Sequence, residues 1–245
     1  MRYFIYLSYN GTNYHGWQVQ PNSISVQEVL EDRFSVLLGE NIAITGAGRT
    51  DTGVHAARMV AHFDVEKIIE NPVLLVGKLN NFLPKDIAIQ KIIPVRNDAH
   101  ARFDALSRTY EYRITQQKNP FLSQLAYQYV HNLDVSLMNE AANALFDYID
   151  FTSFSKLHTD VKTNNCKIMH AKWETKGDML VYTIRADRFL RNMVRAIVGT
   201  LLEVGKGNCT IDRFREIIES KNRCSSGTSA PAHGLYLVDV EYSFS

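Results

Sequence analysis

Ser25-Val26-Gln27-Glu28-Val29-Leu30-Glu31-Asp32-Arg33-Phe34-Ser35-Val36-Leu37-Leu38-Gly39 reads as one helix with both ends marked. Val26, Val29, Leu30, Phe34, Leu37 and Leu38 recur at helical spacing, which gives one apolar face. Ser25 can cap the first turn, with Glu28 three residues on as its capping-box partner, and Gly39 stops the helix. On either side the period changes. Arg2 to Tyr9 alternates and is rich in aromatics, as a strand is, and Asn10-Gly11-Thr12-Asn13 turns the chain. Ile42 to Thr45 and Met59 to Val65 read as strands, Pro72 to Leu79 as a helix and Ile87 to Val95 as a strand. The order is strand, helix, strand, strand, helix, strand.

The rest of the chain repeats that rhythm loosely. Ser107 to Thr115 alternates, with Tyr110, Tyr112 and Ile114 on one face, and Leu125 to Val130 is a short strand. Val135 to Phe146 is a helix. Cys166 to Thr175 and Met179 to Ala186 form a hairpin through Gly177-Asp178, and Phe189 to Val204 is the most strongly patterned helix. Ile211 to Glu219 is a helix and Leu235 to Tyr242 a last strand, while Tyr148 to Thr163 has no period and reads as a long loop. These elements predict an α+β fold of two similar sheet-and-helix halves of the RRM or ferredoxin-like kind. The halves, 1–105 and 106–245, are expected to join into one mixed, mainly antiparallel sheet with an active-site cleft between them.

The 245 residues carry 27 Lys+Arg against 26 Asp+Glu, a net charge of +1, and 45% are hydrophobic. That is an ordinary globular composition. No apolar run of about 18 residues exists, so no membrane helix is expected, and Tyr3 to Leu7 is too short for a signal peptide. Cys166, Cys209 and Cys224 are odd in number and widely spaced, which excludes a disulfide framework and argues against zinc. A reducing, cytoplasmic setting follows. Histidines and carboxylates show no ligand spacing, so no metal is expected.

The most unusual stretch is Gly46-Ala47-Gly48-Arg49-Thr50-Asp51-Thr52-Gly53-Val54-His55-Ala56. Its glycines allow close approach of backbone or ligand. In an extended segment Arg49 and Asp51 share a face, and the guanidinium would hold the carboxylate ionised. An ionised, oriented carboxylate suits a nucleophile better than a general acid. On spacing alone a surface ion pair in a glycine-rich turn is the simpler reading. Asp51-Thr52-Gly53 also spells the aspartic-protease tripeptide. A shared proton between two carboxylates would be opposed by Arg49, and no second such tripeptide is present. No Gly-Lys-Ser/Thr follows to make a phosphate loop.

Positive charge is clustered. Arg185, Arg188, Arg191 and Arg195 stand against one acid, Asp187. A helix beginning near Arg188 would put the last three on one face, beside an apolar stripe of Leu190, Val194, Ile197, Val198 and Leu201. Such a row can grip phosphates, although a solvated helix face is the ordinary meaning of such a run. Arg102-Phe103, Arg108, Tyr110, Tyr112 and Arg113 form a second cluster whose rings could stack on unpaired bases. For Tyr112 a core position is at least as good a reading.

Taken together these pieces resemble the tRNA pseudouridine synthases of the TruA type. The resemblance runs through Tyr14-His15-Gly16-Trp17-Gln18-Val19-Gln20, Ser25-Val26-Gln27-Glu28 and Gly48-Arg49-Thr50-Asp51-Thr52-Gly53-Val54-His55. It continues through His100-Ala101-Arg102-Phe103, Arg108-Thr109-Tyr110-Glu111-Tyr112 and Asp150-Phe151-Thr152-Ser153-Phe154. It ends with Asn192-Met193-Val194-Arg195-Ala196-Ile197-Val198-Gly199 and Gly234-Leu235-Tyr236-Leu237. Thr52 departs from the Ala of many relatives.

The resemblance implies isomerisation of uridine to pseudouridine at positions 38, 39 and 40, in the anticodon stem-loop of tRNA. It implies Asp51 as nucleophile, Tyr110 packed on the target base, Arg195 paired with Asp51, Arg49 holding the flipped nucleotide and Leu235 as an apolar wall. Arg188 and Arg191 are candidates for the tRNA backbone. The family needs no cofactor or metal and works as a homodimer. Attack at the sugar C1′, attack at uracil C6 and a glycal route all remain open. A passive RNA-binding module and a dimeric aspartic hydrolase are the competing classes; neither explains Gly-Arg-Thr-Asp together with the Arg and Tyr clusters. Because clustered arginines act through phosphate contacts, affinity for tRNA is expected to fall steeply as salt rises, measured by titration from low to moderate ionic strength.

Overall fold

The computed structural model describes residues 1–156 and 163–243. It is α+β, with nine strands and five α-helices among the described residues. Two compact units divide the chain: Met1–Leu106 with Tyr236–Ser245, and Ser107–Leu235. The chain thus finishes in the unit where it began, whereas a single cut after residue 105 would leave residues 236–245 in the second half.

In the first unit the strands are β1 (Arg2–Tyr9), β2 (Ile44–Gly46), β3 (His55–Asp64), β4 (Ile87–Pro94) and β9 (Leu235–Tyr242), and the helices are α1 (Val26–Leu38) and α2 (Pro72–Phe82). β1 lies antiparallel between β4 and β3. The far edge of β3 is shared. Antiparallel β2 takes residues 61–63, and parallel β9 takes His55 and Ala56 through Tyr236 and Leu237. β3 starts four residues earlier than the apolar pattern suggests, because the polar His55 and Arg58 also lie on it. His55 is buried and Arg58 pairs with Asp239 at 3.0 Å. The α1 ends are as read: Ser25 and Glu28 form the full capping box, and Gly39 turns left-handed at φ 71°. α1 packs Phe34 edge-on to Phe63 of β3, at 5.1 Å between centroids, in a fully buried core.

The second unit holds β5 (Ala105–Thr115), which begins two residues before the boundary, with β6 (Tyr127–Gln128), β7 (Ile168–Lys176) and β8 (Met179–Ala186). Its helices are α3 (Val135–Ala144), α4 (Met193–Gly205) and α5 (Ile211–Glu219). β8 lies antiparallel between β5 and β7, and β6 adds a short parallel pairing at the end of β5. Tyr112, Tyr182 and Trp173 stand opposite one another across the three strands, all buried. The long-loop reading of Tyr148 to Thr163 needs amending at Thr152–Phe154, a 3-10 turn whose Ser153 hydroxyl donates to the Ile217 carbonyl at 2.6 Å. Residues 157–162 of that stretch lie outside the described residues.

The expected helix from Phe189 is wrong by four residues. Asn192 sits left-handed at φ 66°, and α4 begins at Met193. The preceding segment is tied to strand ends instead. The Asp187 carboxylate accepts from the Lys167 and Arg188 amides, and its carbonyl accepts from Arg108 at 2.8 Å. The Arg191 carbonyl accepts from the Lys156 amide. Buried Leu190 kept the helical period going in the sequence while filling the core from a loop. Arg188, Arg191 and Arg195 therefore do not line one helix face; only Arg195 is helical.

His62 on β3 is buried, and its Nδ1 accepts from the Ala101 amide at 3.2 Å. Burial, the Arg2 charge and His100 together push its pKa down to about 4. The unfolded chain takes up that proton below about 6.5, the native chain only near the lowered value, so stability is lost as pH falls through that window. Unfolding free energies from urea titrations between pH 7 and pH 4 are expected to decline. His62→Gln, which keeps an acceptor and cannot be protonated, is expected to flatten the decline; His100, also lowered by burial, leaves a residual slope.

Candidate active site

Asp51 stands on the crossing from β2 to β3, residues 47–54, which has no regular structure of its own. Such a loop needs its backbone groups satisfied from elsewhere. The partner is the segment that follows β1. The Trp17 amide donates to the Thr50 carbonyl at 3.2 Å, and the Gly53 amide donates to the Tyr14 carbonyl at 3.3 Å. The Gly11 amide donates to Nδ1 of buried His55 at 3.0 Å. Tyr9 and Thr50 share a buried hydroxyl–hydroxyl hydrogen bond of 2.9 Å. Gly53 turns at φ 77°, and the Val54 amide closes that turn on the Asp51 carbonyl at 3.1 Å. The loop is held on both sides of Asp51 within two residues, while Asp51 itself stays partly exposed.

Close approach makes this docking possible. A Cβ on Gly11 would overlap the Val54 carbonyl, and one on Gly16, which also has φ 86°, would overlap the Thr50 carbonyl. At Gly46 a Cβ would meet the Trp17 indole at 2.6 Å. Gly48 is different, since open space surrounds it and no close approach explains it. The docking segment is itself anchored: the Tyr14 hydroxyl donates to Asp86 at 2.6 Å, and the Asn10 amide donates to the Asp86 carbonyl. Burial and that bond push the Tyr14 phenol above the usual tyrosine range. His55 stacks on Tyr236 of β9 at 4.6 Å, which ties the loop's exit to the end of the chain. Arg49 is exposed, and among the described residues it forms no salt bridge with Asp51.

In the second unit Tyr110 lies on β5 opposite Ile184 of β8, and its ring meets Phe189 edge-on at 5.1 Å. Two residues on, Tyr112 is fully buried and donates to the Pro231 carbonyl at 2.9 Å; burial keeps its phenol protonated. It is a core tyrosine. Gly234 lies against its ring, where a Cβ would come within 2.7 Å, and Leu235 follows, buried. Arg195, in the first turn of α4, is held by a reciprocal pair: its Nε donates to the Ala230 carbonyl at 2.7 Å, and the Ala230 amide donates to its carbonyl at 2.9 Å. Gly199 lets that strap lie against α4, since a Cβ there would overlap the Thr228 carbonyl. His233 feels burial first and the Arg195 charge second, and both lower its pKa. Arg113 pairs with Glu111 at 3.0 Å, so this member of the basic-aromatic cluster is committed within the strand.

Sequence reasoning singled out Arg49, Asp51, Tyr110, Arg195 and Leu235 but missed the supports Tyr9, Gly11, Phe189 and Ala230. Gly11 and Gly16 were visible as glycines; nothing in one sequence says which carbonyl each must clear. Among the described residues no group of His, Cys, Asp and Glu is placed to hold a metal, and no helix is long and apolar enough to cross a membrane.

Known proteins resemble this chain over nearly its whole length. The family model described as tRNA pseudouridine synthase matches residues 5–104 and 141–243. A protein of Parabacteroides distasonis named tRNA pseudouridine synthase A is 63% identical over 241 residues, covering 98% of this chain and 96% of that one. Proteins of the same name from Bacteroides thetaiotaomicron and Colwellia psychrerythraea are 59% and 41% identical, covering 98% and 99% of this chain and 90% and 94% of theirs. The chain belongs to the tRNA pseudouridine synthase family.

Gly16→Ala is expected to destabilise the fold by at least about 2 kcal/mol, from a left-handed backbone and an overlapped carbonyl together. Gly48→Ala, with space around it, is expected to stay within about 0.5 kcal/mol of the native value. Urea denaturation of both variants checks the contrast.

Proposed function

We propose that this protein isomerises uridine to pseudouridine at positions 38, 39 and 40 of the anticodon stem-loop of tRNA, with Asp51 as nucleophile. The observation that carries the reading is the carboxylate of Asp51 on a loop braced from both sides, in a chain of the tRNA pseudouridine synthase family. The reaction must break the N1–C1′ bond, turn the uracil and rejoin it through C5. A fixed nucleophile divides that change into easier steps. The target base must leave its stack, which costs a few kcal/mol. The detached base must then be kept from water.

In this reading Tyr110, braced by Phe189, packs on the extruded base, and Leu235 supplies an apolar wall. Arg195, oriented by Ala230, pairs with Asp51 and steadies negative charge on the uracil. Arg49, exposed beside Asp51, holds the displaced nucleotide, and Arg188 and Arg191 meet the RNA backbone. The active form is a homodimer, needs no cofactor, and works in the cytoplasm, where tRNA is.

Anticodon-arm RNA tritiated at uridine C5 tests this directly. The wild type is expected to release tritium, and Asp51→Ala is expected to lose at least about 1,000-fold in turnover while tRNA affinity stays within about threefold. No release from any anticodon-arm uridine by the wild type would overturn the function, and normal turnover by the variant would overturn the role of Asp51.

A further inference from the structure

A small cavity in the second unit involves none of the residues placed in the candidate active site apart from His233. Its volume is about 250 Å³, and its lining includes Thr115, Asn119, Ser123, Tyr127, Gln128 and His233. The remaining lining residues, Leu122 and Ala126, are apolar, so no carboxylate faces it. It sits where β5 ends, between the loop 116–126 and the short strand β6.

The loop is ordered by its own hydrogen bonds. Asn119 Oδ1 accepts from the Phe121 amide at 2.9 Å, the Leu122 amide donates to the Asn119 carbonyl, and the Ser123 hydroxyl donates to the Pro120 carbonyl. That turn lifts Phe121 into solvent, 85% exposed, two residues from the cavity wall at Asn119. An aromatic ring so exposed on a pinned turn has no packing role. At the wall, Tyr127 meets His233 edge-on at 6.3 Å.

We propose that this cavity receives one unpaired base of the RNA substrate, a neighbour of the target uridine, with Phe121 as a stacking platform at its rim. The proposal rests on the function argued above. Three features favour a base over other ligands. The volume falls below the range of about 300–1,000 Å³ typical of larger organic ligands. The Thr115 and Ser123 hydroxyl protons are spent on the Gln117 and Pro120 carbonyls and Asn119 Oδ1 on the Phe121 amide, which leaves the hydroxyl oxygens as acceptors beside the Asn119 and Gln128 amide donors, the mixture the edge of a base requires. Aromatic rings stand at the wall and at the rim, and stacking on them accepts any base while hydrogen bonds choose among them. His233, one of the lining residues, stands two positions before Leu235, the residue read as the apolar wall of the target site.

The test is binding of anticodon stem-loop RNAs that carry one abasic site at each loop position in turn. Wild type is compared with Phe121→Ala and Gln128→Ala, both exposed and outside the catalytic set. At one position the abasic site is expected to weaken wild-type binding roughly tenfold and to weaken the variants little, because the contact is already gone. Equal losses for wild type and variants at every position would overturn the proposal. So would a change in solution mass for Phe121→Ala, which would make the ring a contact between protein copies. Pseudouridine formation by the wild type is read separately. Coupling without product would remove the function and leave the cavity standing, and product without coupling would do the reverse.

Discussion

The Thr50–Trp17 and Gly53–Tyr14 hydrogen bonds are the constraint on which the first unit's site depends. A carboxylate needed at a fixed position sits poorly on a free loop, since ordering each residue costs roughly 1–2 kcal/mol. This chain meets that cost during folding. The turn after β1 is laid along the Asp51 loop, glycines stand wherever a Cβ would hold the two backbones apart, and the pair is capped with the buried Tyr9–Thr50 bond. The same turn is bolted to β4 through Asp86 and leads straight into the capping box of α1, whose Val26 amide donates to the Gly16 carbonyl. Sheet, helix and loop thus share one junction.

Both units also protect an outer strand in the same way. In the first, the Asn80 side chain on α2 donates to the Ile89 carbonyl and accepts from its amide on β4. In the second, Asn139 on α3 makes the same reciprocal pair with Trp173 on β7. An edge strand left bare invites pairing with another chain, and a side-chain amide imitates a neighbouring strand for one residue. The two halves anticipated from the rhythm of elements are alike in this detail as well, though their helices enter from different places in the chain order.

What the sequence made legible was local. The capping box, the Gly39 stop, β8 and α5 follow from residues within a few positions of one another. What it hid was set at long range. The start of α4 was obscured because Leu190 is buried for reasons of packing while Asp187 is tied to residues 108 and 167 and Arg191 to residue 156. The histidines were equally silent in the sequence. His55, His62 and His100 each accept backbone amides through Nδ1, fixing turns that no periodicity marks. Asp51 could be singled out as unusual, but not its braces, which lie 34 to 42 residues away along the chain.

The loss of the arginine row sharpens what Arg195 can do. Three arginines on one helix face would make a diffuse cationic stripe, strong for phosphate and weak in direction. Arg195 alone is helical, and its Nε–H is spent on the Ala230 carbonyl while the Ala230 amide returns to its backbone. That bond fixes the plane of the guanidinium before any ligand arrives. A lysine has no Nε–H to commit and would keep its full freedom until binding. Preorganised donors gain their advantage because the ordering is complete before charge develops. Arg188 and Arg191 lie instead on a loop tied through the Asp187 carboxylate and the Arg191 carbonyl. The +1 of the whole chain therefore conceals cations in different settings, one held in a set direction at the start of a helix and two carried on a loop.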